Sequence, residues 1–106
     1  MYDEKNVMCG ASAYEQKYYF NPVYRKLPEA VKEELQILCV LFTEDVGGVL
    51  TLQFDKEGNL RLVTEYAEED LLYDEIGAAL KVKQLQMDKK ELFEALELFW
   101  KEFICC

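Results

Sequence analysis

The chain has 106 residues, 51% of them hydrophobic, which suffices for one core and excludes general disorder. It carries 21 acidic against 12 basic residues, only two of them arginine, for a net charge of −9. A field of that sign repels phosphate backbones and anionic headgroups, so no nucleic acid or membrane partner is expected, while basic proteins and cations remain open.

The N-terminal M-Y-D-E-K-N-V-M has acids where a signal peptide needs an apolar core, so no signal peptide is expected and residues 1–12 read as flexible. Four cysteines follow no C-x-x-C spacing, and there is no histidine, so no metal cofactor is expected. Reduced thiols and a cytoplasmic location fit that inventory. The terminal Cys105-Cys106 resembles a prenylation signal, but the phosphate loop and basic tail that accompany such signals are missing. It reads as a frayed helix end.

Ser12-Ala13-Tyr14-Glu15 has the S-x-x-E pattern that caps helices. Lys17-Tyr18-Tyr19-Phe20 is aromatic and closes at Asn21-Pro22, which favours a strand over Gln16 to Phe20. Tyr14, Tyr18, Tyr19 and Tyr24 crowd this quarter, and Tyr18, Tyr19 and Tyr24 are candidate interface residues. Covering a core edge is the plainer role for such side chains.

Pro28 opens a helix, and Val31, Leu35, Leu38 and Phe42 recur at helical spacing, which predicts a central buried helix from Glu29 to Val46. The apolar run Ile37 to Phe42 predicts burial on most sides in its second half. At six residues it is the longest such run, far short of the roughly 20 that span a bilayer.

Gly47-Gly48 follow that helix and precede a strand. Phosphate loops run in the opposite order, with free N–H groups of a following helix facing the anion, so these glycines read as a helix stop and a hinge. Glu44 and Asp45 oppose the helix dipole in its last turn and are candidate interaction residues. The alternative is neutralisation across the fold by a lysine such as Lys81 or Lys83.

Alternation over Val49 to Phe54 and Leu60 to Tyr66, joined by Asp55-Lys56-Glu57-Gly58-Asn59, predicts an antiparallel β-hairpin. Its loop places glycine fourth, which excludes an EF-hand. From Leu71 onward Ala78, Val82, Leu85, Leu92, Leu96, Phe99 and Phe103 keep a +4, +3 phase when Lys89 is included, which predicts one long C-terminal helix. Asp88-Lys89-Lys90-Glu91 offers a competing restart. An unbroken rod would overhang the globule, making Phe99, Trp100 and Phe103 candidate interface residues and a homodimer the expected assembly.

With no histidine and only one serine, the usual nucleophilic triads are absent. Asp70 and Asp74, with Glu75, are the one carboxylate set able to suggest a metal site or an acid–base pair, against a plainer role in stabilising a helix N-terminus.

The segments A-Y-E-Q-K-Y-Y-F-N, E-L-Q-I-L-C-V-L-F-T-E-D-V-G-G and Y-D-E-I-G-A-A-L-K resemble a family of small uncharacterised clostridial proteins, a domain of unknown function, over most of Ala13 to Phe103. The resemblance implies a bacterial cytoplasmic protein and carries no activity with it. It also removes the prenylation reading. The expected fold is one α+β domain over residues 1–106, with a hairpin or three-stranded sheet. The expected role is a protein-interaction or regulatory module; a carboxylate-based metal-dependent enzyme and an acidic immunity or decoy protein for a basic partner are the alternatives.

Overall fold

The computed structural model describes residues 6–104. Cys105 and Cys106 lie outside the described residues, as do the first five of the stretch read as flexible.

The fold is α+β, with a four-stranded antiparallel sheet rather than two or three strands. Strands β1 (Val7–Ser12), β2 (Lys17–Phe20), β3 (Val49–Phe54) and β4 (Leu60–Glu65) lie in the order β2-β1-β3-β4. Helix α1 (Glu29–Val46) has the bounds read from the sequence, and α2 (Glu75–Asp88) and α3 (Lys90–Phe99) follow β4.

Over Val7–Ser12, strand β1 stands where the sequence reading expected a flexible segment. Val7–Ser12 pairs with β2 on one side and β3 on the other, and Met8 to Ala11 are buried. A bulge gives β1 an extra residue at Met8, since Val7 and Cys9 oppose the adjacent Gln53 and Leu52. Ser12 caps the connecting turn instead of a helix: its hydroxyl accepts from the Glu15 N–H at 3.3 Å. The S-x-x-E chemistry is used in a strand-to-strand turn because β-pairing on both sides claims the chain.

On the inner face of the sheet, register aligns Phe20, Cys9, Leu52 and Leu62 in one row and Tyr18, Ala11, Leu50 and Thr64 in the next. Helix α1 packs Leu35, Leu38, Cys39 and Phe42 onto them. The opposite face carries Tyr19, Gly10, Thr51 and Val63. Gly10 has a packing reason: a Cβ there would come within 2.8 Å of the Leu50 carbonyl and the Thr51 methyl.

Helix α1 stops at Gly47, whose N–H donates to the Thr43 carbonyl at 2.8 Å with φ of 85°. Gly48, at φ of 68°, turns the chain into β3.

The long C-terminal helix is interrupted. Lys89, at φ −110° and ψ 23°, separates α2 from α3, and Trp100–Ile104 close the chain in a π-helical turn. Helix α2 begins at Glu75, not Leu71. Beyond the break, Phe93, Leu96 and Trp100 are buried in the protein's own core. Trp100 stacks on Phe54 with ring centroids 5.6 Å apart, and Phe54 stacks on Tyr24 at 5.9 Å. Of the apolar seam that called for a partner, Trp100 is therefore covered within the same chain, while Phe103 is not.

Candidate functional site

Side chains singled out in the sequence do not gather into one aromatic patch. Tyr18 and Tyr19 alternate to opposite faces of β2, as neighbours in a strand must. Tyr18 faces inward, where burial, with the thiols of Cys9 and Cys39 alongside, pushes its phenol up. The Cys9 and Cys39 sulfurs lie 3.9 Å apart, and the hydrogen bond shared with Cys9 and then burial raise the Cys39 thiol far above its usual range. Such thiols behave as core side chains.

Two further candidates are corrected outright. Tyr24 and Trp100 are core residues, filling space between the Pro22–Tyr24 turn, β3 and α3. Phe99 is half-buried against Tyr24, and only Phe103, 65% exposed, remains available at that end.

The acids separate in the same way. Asp70 and Asp74 do not share a helical face, because Asp70 precedes α2 in a loop and Asp74 is its cap, accepting from the Gly77 N–H at 3.0 Å. Asp70 instead accepts from the Tyr14 hydroxyl at 2.6 Å, and that hydroxyl accepts from the Ala67 N–H. The bond to Asp70 is the main reason the Tyr14 phenol is raised. Glu75 sits in the first turn of α2. Among the described residues no group of three or more Cys, Asp or Glu is placed to hold a metal ion. Cap and dipole chemistry account for Asp74 and Glu75, and the bond from Tyr14 accounts for Asp70.

Asp45 has its counter-charge: Lys81 of α2 forms an ion pair with it, whereas Glu44 stays exposed. A second bridge runs at 2.9 Å from Lys89, just past the end of α2, to Glu34 of α1. Between these clamps lies a groove of about 510 Å³ lined by Ile37, Leu38, Leu41, Phe42 and Leu85. Ile37 and Leu41 are 58% and 56% exposed, which corrects the expectation that the second half of α1 is buried on most sides. Their signal in the sequence is the i, i+4 spacing on a face that continues through Ala30 and Glu34; the unbroken apolar run hid it.

The groove is apolar at its floor, and the charged side chains that line it are Glu33 and Glu34 of α1 with Lys81 and Lys89. Along its length helix α1 carries Glu29, Glu33, Glu34, Glu44 and Asp45 against the single base Lys32. Two lysines, Lys81 and Lys89, are held in the bridges just described.

A family model described as a family of unknown function, DUF6145, matches residues 5–106. The chain belongs to that family. The match spans every described strand and helix of this DUF6145 member, the groove included. No curated protein and no solved structure matches the chain. Among the described residues no helix is long and apolar enough to cross a membrane.

Proposed function

We propose that the protein is a small cytoplasmic interaction module whose α1/α2 groove accepts a basic amphipathic helix of a partner protein. The observation that carries this is the exposure of Ile37 and Leu41 in a groove on α1, a helix that carries five acids to one base along its length. Apolar anchors at i and i+4 are what a helix-in-groove contact uses, and covering the remaining surface of each returns about 1 kcal/mol. The surplus of acids selects a basic partner and speeds its approach. Free thiols at Cys9 and Cys39 support the cytoplasmic setting. An enzyme built on Asp70, Asp74 and Glu75 has less support, since those side chains are engaged separately in a loop, a cap and a first turn.

The test is calorimetric titration with a synthetic Lys/Leu amphipathic helix of about 18 residues, long enough for five turns. Binding weakened by salt is expected in the wild type. The charge-neutral double variant Ile37→Gln, Leu41→Gln should lose it. Equal binding by that variant would mean that net charge alone attracts the peptide, and the groove reading would fail.

A further inference from the structure

Helix α2 carries a second apolar stripe that the core does not use. At about 100° per residue, Ile76, Leu80 and Met87 fall within about 40° of one another, on the side opposite Ala78 and Leu85. They are 76%, 62% and 74% exposed, and Leu71 and Leu72 stand exposed in the loop just before them. The spacing 76, 80, 83, 87 is the +4, +3, +4 of a coiled-coil seam, with Lys83 as its one polar member.

We propose that this stripe is a self-association surface, on which the α2 helices of two copies pack antiparallel about a two-fold axis. Charge chooses this occupant. The chain as a whole carries −9, so two copies repel over most of their surface, but α2 holds Glu75 and Asp88 against Lys81 and Lys83 and is neutral. It is the helix on which a second acidic chain meets no net repulsion, whereas α1, with five acids to one base, opposes it. Antiparallel packing also sets Glu75 at the N-terminus of one helix near Lys90 beyond the C-terminus of the other. A two-fold axis lets one stripe serve both partners. The homodimer expected from the C-terminal aromatics thus moves to α2, on a face distinct from the α1/α2 groove.

One helix pair with its flanking leucines buries less than a standard interface, which sets the affinity at about 10 to 100 µM. Sedimentation equilibrium on the full chain from low micromolar to millimolar concentration should show a monomer–dimer equilibrium in that range. Leu80→Glu should weaken dimerisation at least about tenfold with an unchanged melting temperature, and Lys83→Leu should strengthen it. Met87→Glu supplies a second disruption should the first variant fold poorly. Phe103→Glu, at an exposed aromatic away from α2, should leave the equilibrium alone. A wild type monomeric throughout, a dimer indifferent to both α2 charge variants, or one abolished by Phe103→Glu would overturn the proposal. So would co-sedimentation with phosphatidylcholine vesicles that Leu80→Glu removes, since the stripe would then be covered by lipid.

Discussion

Lys81 on α2 and Asp45 in the last turn of α1 form an ion pair at the mouth of the groove. It answers the dipole conflict that two acids at a helix C-terminus create, because the lysine arrives from another helix. Both side chains are about half exposed, so the pair contributes roughly 0 to 1 kcal/mol. A double-mutant cycle with Asp45→Asn and Lys81→Gln, followed by urea unfolding, should give a coupling below about 1 kcal/mol that fades in molar salt. Coupling above about 2 kcal/mol would show that solvent screens this pair far less than its exposure implies.

Trp100 and Phe103 lie three residues apart and have opposite fates. Trp100→Ala removes a ring stacked on Phe54 and placed so that a Cβ at Gly58 would come within 3.0 Å of it, and should cost about 3 to 5 kcal/mol. Phe103→Ala should change stability by about 0.5 kcal/mol, as an exposed site does. Urea midpoints of the two variants decide the matter; the reverse ranking would mean that the end of the chain packs differently.

Gly48 and Gly47 both have positive φ, but only Gly48 is also crowded. A Cβ at Gly48 would come within 2.6 Å of the Glu65 carbonyl and 2.7 Å of the Tyr73 ring, whereas at Gly47 nothing lies within 4 Å. Gly47→Ala should therefore show backbone strain alone, about 1 to 2 kcal/mol. Gly48→Ala should cost more, and equal losses in thermal melts would remove the steric argument.

Asp55 organises the β3–β4 loop. The Asn59 N–H, the Glu57 N–H and the Arg61 guanidinium all donate to its carboxylate, and these bonds, led by that of Asn59, hold its pKa below the usual value. A depressed folded pKa means the contribution is complete above the unfolded value of about 3.9 and is lost as pH falls through the lower folded value. Carbon-detected NMR should show Asp55 titrating below a model peptide. In Asp55→Asn the loop should lose that acid-dependent loosening, and an Asp55 titrating at or above the peptide value would refute the network.

Much of the fold was legible because punctuation and period agreed. Pro28 and Gly47 bracket α1, and alternation with Gly58 marks the hairpin. Strand β1 was not legible. Met8, Cys9, Gly10 and Ala11 are small or unbranched, all four are buried, and the bulge at Met8 disturbs whatever alternation remains. The break at Lys89 escaped for another reason: the +4, +3 apolar spacing runs across it through Leu92, Leu96 and Phe99, whereas the residues buried beyond it are Phe93, Leu96 and Trp100. Asp88-x-x-Glu91 marked the place, though not the chemistry, since the Asp88 carboxylate accepts from Gln84. The groove was hidden because a run of apolar residues does not tell which of them the core can reach. Only the placement of α2 shows that Ile37 and Leu41 are left over.

The position of β1 between β2 and β3 has a kinetic consequence. Each hairpin closes across a handful of residues, but joining Cys9 to Leu52 must loop out about forty, with α1 inside the loop. That zipping is the step expected to limit refolding. Ala11→Gly, which loosens the seam, should slow the refolding arm in stopped-flow experiments, while Thr64→Ala in the local hairpin should act chiefly on unfolding.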